Sequence, residues 1–457
     1  MKWKKYWIDI TGIIVAVCIA TGVFAVSFFN ILSAKELDDD REVERLYPRE
    51  PLIDSVCPNI NFVVDSLCRI IDPAHSLDVF MHELEMLLSG KDTVVNIVHL
   101  GDSHVQAGFY SGQVMRMLQE VFGNAGRGWI SPLKLAKINE PKDYDITSNI
   151  KNWEIGRCIQ REPLCPLGPG AMGIRTQSDE VGFTVRIAPV NGTGYAFNQL
   201  ILYRDNEAVP MLPACRDTVA VDICWGHETG MPGVVTDTFR MAAEVDEMQL
   251  LATPRDSASG SAGRQLPANA NCYYGFSLAN GRPGVLYHAV GQNGAMFMNY
   301  SRPEYVRQLA LFKPSLLIIT LGTNESFAGS RFRSEQFVLQ MDSFIRLANH
   351  YLPHTAILIT TPAESFRRVQ RQHERNRNIG KIATAIRDYA EKEGLACFDL
   401  YGATGGANSC EKWGKANLLG RDRVHYSIDG YHEQGKLLYK ALVRLKLNQQ
   451  NEAYGGI

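Results

Sequence analysis

Five short runs in this chain, at 94–100, 285–290, 316–321, 356–361 and 395–400, are apolar at nearly every consecutive position. A strand that reads this way is covered on both faces, as happens in a parallel sheet held between two layers of helix. Stretches with helical periodicity separate the runs. Val114, Met117, Leu118 and Val121 fall on one face of a helix that runs to Phe122, and others are expected over 304–312, 334–350 and 375–392, with a last one from about 431 to 447. Strand alternating with helix predicts an α/β fold, a doubly wound, flavodoxin-like domain with a five-stranded parallel sheet. Ligands of such sheets bind outside the carboxyl ends of the strands, so residues just after each apolar run are the first to examine.

The rhythm breaks once. From Ser131 to Gly281 the chain carries short β-like runs such as 183–187 and 199–203, divided by turn residues that include Asn191-Gly192 and a Ser/Gly/Ala-rich stretch at 257–263. This predicts a β-sandwich inserted after the first strand and helix of the sheet domain. The N-terminus differs again: Lys2, Lys4 and Lys5 precede an essentially uncharged apolar stretch, 10–32, followed by acidic residues over 36–40. That stretch is long enough to cross a hydrocarbon core of ~30 Å as a helix, and the flanking charge favours an N-in, C-out orientation. A cleavable signal peptide is the competing reading, but Leu32-Ser33-Ala34 matches a small-x-small cleavage site only loosely. The expected organisation is therefore a cytoplasmic tail and membrane anchor (1–34), a stem with a short helix carrying Leu77, Phe80, Leu84, Leu87 and Leu88 (35–92), the sheet domain in two parts (93–130 and 282–449) around the insert (131–281), and a tail (450–457).

Composition narrows the partners. With 47 basic against 49 acidic side chains, and no clustered basic stripe, nucleic acid is excluded as a partner. The ten cysteines form no CxxC pair, and the eleven histidines form no HExxH or other paired spacing, so no metal is expected. An exported body would allow one or two disulfides, for example among Cys57, Cys68, Cys158 and Cys165. The oligomeric state is not encoded in any pattern we recognise.

Three segments at the ends of strand-like runs supply complementary chemistry. Gly101-Asp102-Ser103-His104 closes the first run, Gly322-Thr323-Asn324-Glu325 closes the third, and Asp422-Arg423-Val424-His425 lies beyond the fifth. A serine hydroxyl becomes a nucleophile when a neutral imidazole removes its proton, and His425 can do this for Ser103. Asp422 can orient the other ring nitrogen and stabilise the imidazolium. The Ser103 N–H, the Gly291 N–H and the Asn324 side-chain amide are candidate donors to the oxyanion of a tetrahedral intermediate. Taken singly, a serine after a strand usually caps a helix, and a second Asp-x-x-His, Asp72 to His75, occurs in the stem where no site is expected. Joint placement at one sheet edge distinguishes the proposed set.

Other signals carry less. Gly123 to Gly128 spells GxGxxG but follows a helix instead of a strand, so a dinucleotide site is not expected. His104 and His432 read as supporting or surface residues. Trp225, Tyr273 and Tyr274 could stack on sugars, although core packing is the commoner role of such residues.

The blocks resemble the SGNH/GDSL hydrolase family. Ser103 stands at the position of its nucleophile, Gly291 and Asn324 at its oxyanion-hole pair, and Asp422 and His425 at its Asp-x-x-His block. The chain departs from the pattern at His104, where many members have Leu, and at Glu325, where many have Asp. A narrower likeness, carried by Gly101 to Gln106, Ala125 to Gly128, Gly291 to Ala295 and Gly322 to Glu325, is to the peptidoglycan O-acetylesterase branch, in which a carbohydrate-binding-type β-sandwich interrupts the catalytic domain at the same place. The resemblance implies a cofactor-free serine esterase that removes O-acetyl groups from peptidoglycan or another polysaccharide. It also implies an acetylated glycan as substrate, and with the anchor it implies an inner-membrane, periplasm-facing enzyme. The alternatives are a glycan O-acetyltransferase using the same residues and a non-catalytic carbohydrate-binding protein with a vestigial fold.

Overall fold

The computed structural model describes residues 60–188, 195–214, 220–252 and 271–454. The apolar stretch 10–32, Cys57, the Asn191-Gly192 turn and the 257–263 stretch lie outside them. Among the described residues no helix is long and apolar enough to cross a membrane.

The chain enters through β1 (Ile70–Ile71), α1 (Asp78–Leu88) and β2 (Val94–Gly101), then turns into the single-turn α2 (Ser103–Gln106) and α3 (Phe109–Phe122). Short antiparallel strands follow: β3 (Gly128–Ile130), β4 (Tyr144–Ser148), β5 (Glu154–Arg157), β6 (Met172–Arg175), β7 (Gly182–Ile187), β8 (Phe197–Arg204), β9 (Met211–Pro213), β10 (Val221–Glu228), β11 (Val235–Val245), β12 (Glu247–Ala252) and β13 (Cys272–Ala279). The α/β alternation resumes with β14 (Gly284–Gly291), α4 (Phe297–Tyr300), α5 (Pro303–Gln308), β15 (Leu316–Thr320), α6 (Ser334–Tyr351) and β16 (Ala356–Thr360). A hairpin, β17 (Phe366–Val369) and β18 (Gln372–Arg375), leads to α7 (Arg377–Glu393), β19 (Ala396–Phe398), α8 (Leu400–Ala403), α9 (Ser409–Lys415) and the long α10 (Ile428–Tyr454).

The central sheet has the order β1-β19-β16-β15-β2-β14. Its five parallel strands, taken in chain order, lie 2-1-3-4-5, the flavodoxin-like arrangement. The expected count of five is corrected to six, because β1 adds an antiparallel edge strand with Ile70 opposite Phe398. Two residues are too few to give a periodicity. They are held in place by Asp65, whose carboxylate bonds Lys440 and Arg444 of α10 at 2.6 Å each. The core strands are buried throughout: Leu316, Leu317, Ile318 and Ile319 are all fully covered, as continuous apolar runs require.

The inserted strands form two antiparallel sheets, β10-β11-β8-β13-β6-β5 with β3 against β13, and β4-β7-β12-β9. They share an aromatic core in which Phe183 of β7 meets Tyr273 and Phe276 of β13 at centroid distances of 5.2 and 5.6 Å. This region is not a separate body hung on the sheet domain. Trp129 of β3 packs edge-on against both Tyr203 of β8 and Phe312 before β15, at 5.3 Å each, and Phe312 stacks on His288 of β14 at 4.5 Å. One continuous core contains Ile97 and Leu316 of the central sheet together with Phe183 and Leu200 of the insert.

Candidate active site

Where β2 ends, the backbone turns sharply at Asp102 (φ −101°, ψ −145°), which caps α2. Its Oδ1 accepts the His104 N–H at 2.9 Å, and its carbonyl accepts Val105 and Gln106. Ser103 is the first residue of the helix, ahead of every intrahelical bond, so its N–H remains available for an oxyanion. The turn is tight enough to need Gly101 before it: a Cβ there would stand 2.3 Å from Val105 Cγ2 and 2.8 Å from the Thr320 carbonyl.

Ser103 Oγ lies 2.8 Å from His425 Nε2, across 322 residues of sequence, and His425 Nδ1 lies 2.6 Å from Asp422 Oδ2. The other Asp422 oxygen accepts the Val424 and His425 N–H groups, both at 3.0 Å. Burial alone pushes the Asp422 carboxyl up, but the hydrogen bonds from the His425 ring and from the His425 and Val424 backbone outweigh it. The net effect is a pKa below the usual carboxylate value, so the orienting charge persists into acid solution. The loop is pinned by Gly420 N–H to the His425 carbonyl (2.7 Å) and by Phe366 N–H to the Arg423 carbonyl (2.9 Å). It is open to solvent nonetheless, with side-chain exposures of 40% for His425 and 54% for Asp422.

The opposite side of Ser103 is closed. In the parallel ladder Gln292 N–H donates to the Gly101 carbonyl, which leaves the preceding Gly291 N–H outside the β2–β14 bonds. Gly291 touches the first turn of α2 so closely that a Cβ would be 2.2 Å from Gln106 N. The Asn324 amide donates to Asp102 Oδ2 at 3.1 Å and to the Ala295 carbonyl at 2.9 Å, which fixes it beside the Ser103 turn. The structure thus gathers all five expected residues, Ser103, Asp422, His425, Gly291 and Asn324, around one sheet edge.

Several residues around them make contacts that the sequence did not indicate. Gln106 Oε1 accepts the Asn293 N–H (2.7 Å), and its amide reaches the Asn139 carbonyl (2.8 Å). Arg157, on β5 of the insert, donates to Gln292 Oε1 and to the Asn293 carbonyl, both at 3.0 Å, while Gln292 Nε2 donates to the Gly170 carbonyl at 3.0 Å. Residues of the insert therefore hold the loop that follows Gly291. Burial pushes the Asp102 carboxyl up to about 7. Burial does the same to Glu325, also to about 7, with the Asp102 charge adding to it; Glu325 Oε1 accepts the Phe297 N–H at 2.8 Å. His104 hydrogen-bonds the Tyr431 hydroxyl at 2.8 Å, with its ring 5.1 Å from that of His425. Burial, reinforced by His425, pushes its pKa down to about 3, so it stays neutral.

The decoys separate cleanly. Asp72 caps the turn into α1 by accepting Ser76 and Leu77 N–H groups at 2.9 Å, and His75 turns instead toward Asp78 at 3.5 Å, far out in solvent. GxGxxG follows α3, as its sequence context indicates. Tyr273 and Tyr274 are core residues at 1% exposure each, whereas Trp225 is 48% exposed, its indole N–H on the Met211 carbonyl. Cys68 is buried, and Cys57 lies outside the described residues; Cys158 and Cys165 are buried free thiols, not the disulfide partners suggested for them, and Cys165 hydrogen-bonds Cys272 instead.

Residues 254–432 match the GDSL-like Lipase/Acylhydrolase family. The match contains Gly291, Asn324, Asp422 and His425 but stops short of Ser103, which the insert displaces far upstream; folding restores it. No curated protein matches the chain. Among solved structures the chain is similar to a peptidoglycan O-acetylesterase at 19% identity and a TM-score of 0.64, covering 83% of this chain and 99% of that one. That share exceeds everything outside 131–281, so the likeness of fold extends into the insert. A lipase/acylhydrolase from Enterococcus faecalis (18% identity, TM-score 0.27, 35% of this chain and 76% of that one) and an acetyl xylan esterase (18%, 0.28, 35% and 81%) align at scores that carry no argument.

Proposed function

We propose that this chain, a carboxylic ester hydrolase with a GDSL-like lipase/acylhydrolase domain, removes O-acetyl groups from an acetylated cell-wall glycan, peptidoglycan foremost. The observation that carries the reading is the unbroken relay from Ser103 Oγ through both nitrogens of His425 to Asp422, at 2.8 and 2.6 Å. Ser103 Oγ attacks the acetyl carbonyl as His425 Nε2 takes its proton. The oxyanion is held by the Ser103 and Gly291 N–H groups, joined by the Asn324 amide when it gives up its bond to Asp102 or to the Ala295 carbonyl. Collapse breaks the bond to the sugar oxygen, which leaves with the proton from His425. Water, deprotonated by the same nitrogen, then attacks the acetyl-enzyme and releases acetate. Asp422 keeps the imidazole in the required tautomer and balances its charge in both halves. No step in this scheme draws on a cofactor.

The insert supplies a surface for the polymer in this reading, with the exposed Trp225 as one face on which a sugar ring can lie. Residues 10–32 hold the body at the inner membrane with its site in the periplasm. The deciding experiment is acetate release from O-acetylated peptidoglycan by the wild-type protein and by Ser103→Ala. Release that disappears in the variant, with its circular dichroism unchanged, supports the assignment. A variant that keeps more than a few per cent of the rate would show that another nucleophile operates.

A further inference from the structure

Behind the catalytic loop lies a cavity of about 350 Å³ that none of the chemistry above uses. Its walls include Phe366 from the hairpin, Glu411 and Lys415 from α9, and Leu419, Gly420 and Arg423 from the segment that leads into His425. Phe366 and Leu419 supply apolar wall, and Lys415 and Arg423 bring two cations to the lining. The chain as a whole carries a net charge of −2, and three arginines of the surrounding segments are matched: Arg375 with Glu364 at 2.7 Å, Arg367 with Glu374 at 3.6 Å and Arg387 with Asp399 at 2.8 Å. Among the described residues Lys415 and Arg423 have no such carboxylate. The guanidinium of Arg423 lies instead over the Phe366 ring, 5.3 Å from its centroid. Stacking of this kind occupies the face of the guanidinium and leaves its edge N–H groups free to grip a pair of oxygens.

We infer that this cavity is a substrate subsite for a carboxylate-bearing unit, so that the preferred ester is carried on an acidic glycan; the inference rests on the hydrolase reading above. A sugar or short substituent fits the volume. Its carboxylate pairs with Lys415 and the Arg423 edge, and its apolar face lies on Leu419. Glu411, the single carboxylate in the lining, accepts a hydroxyl. The site belongs to the reaction because it shares its wall with the base. Arg423 is two residues from His425, so their Cα atoms are at most about 7.6 Å apart. An anion held there neutralises a cation two residues from the base and fixes the polymer beside the catalytic loop.

The test compares acetate release by the full-length protein from O-acetylated peptidoglycan fragments with free carboxylates and from the same fragments after amidation of those carboxylates. Wild type should process the acidic fragments with a kcat/KM about tenfold higher, the scale of one charge-assisted contact, chiefly through KM. Lys415→Gln should bring the two substrates to near parity by slowing the acidic one, and Lys415→Arg should restore the preference. Equal rates on both substrates by wild type overturn the subsite and leave the hydrolase reading standing. A Lys415→Gln effect equal on both substrates overturns it too, as a structural role for the lysine. Acetate from neither substrate, with 4-nitrophenyl acetate still cleaved, overturns the peptidoglycan reading itself.

Discussion

The two sides of the site are built in opposite ways. The base side is local and open: Asp422 and His425 stand three residues apart on one exposed loop, and both Asp422 oxygens are satisfied from within that loop. The proposed oxyanion side is collective and closed. Gly291 presses against α2, Asn324 is tied to Asp102 and Ala295, and the loop after Gly291 is held by Gln106, Arg157 and the Gly170 carbonyl, which come from three separate stretches of chain. The difference follows from the two tasks. An imidazole needs one partner to fix its tautomer, whereas donors to a developing oxyanion must be in position before the charge appears. One loop can arrange the first. The second draws on the whole body, the insert included.

That contrast can be broken experimentally. The largest effect should come from deleting 131–281. The shared core around Trp129 and Phe312 would lose Tyr203, Cys272 and Tyr274, and the larger cluster would lose Phe183, Leu200 and Phe276, so no cooperatively folded protein is expected by calorimetry or circular dichroism. A soluble, folded remnant that cleaves 4-nitrophenyl acetate would show that the oxyanion side is less dependent on the insert than we argue. Next, Asn324→Ala should lower kcat by about 10²- to 10³-fold with a smaller change in KM, the scale of one lost oxyanion donor. A change confined to KM would make Asn324 a ground-state contact. Arg157→Ala tests the link directly. Removing the grip on Gln292 and Asn293 should cut kcat on the same minimal ester by about tenfold, near 1.4 kcal/mol of barrier, although Arg157 lies on the insert. An effect seen only with polymer would return the residue to a binding role.

The smallest effect concerns Glu325. Its folded pKa, pushed to about 7, lies above that of an exposed glutamate, so the folded form retains a proton that the unfolded chain has already released. The stability this provides is complete in acid and is lost as pH rises through about 7. Glu325→Gln should therefore flatten the decline in unfolding temperature between pH 5 and 8. A wild-type curve parallel to that of the variant would mean that Glu325 is ionised in the fold.

How much of this was legible follows from where the determining contacts lie. The parallel strands could be read because both their faces are buried, and the alignment of Ser103, Gly291 and Asn324 followed from strand ends meeting at one edge, even over hundreds of residues. The β17–β18 hairpin could not: its two-residue turn places Gln370 and Arg371 at positive φ (46° and 71°), where Asn or Gly is the usual signal. The Arg157–Gln292 bond was equally hidden, because it joins an inserted strand to a catalytic loop 135 residues away and neither residue belongs to any periodic pattern. Asp102 reads as an ordinary helix cap; only the packed structure shows that it is 1% exposed.

The openness of the base side also bears on the fate of the acyl group in the proposed reaction. Once Ser103 is acylated, whichever hydroxyl reaches His425 Nε2 becomes the acceptor. An enzyme that passes the group to a second sugar must wall off that nitrogen, since water competes at every unprotected moment. Here the imidazole and its carboxylate face bulk solvent while the closed wall stands on the other side of the serine. In the proposed reaction that layout favours water as the acceptor.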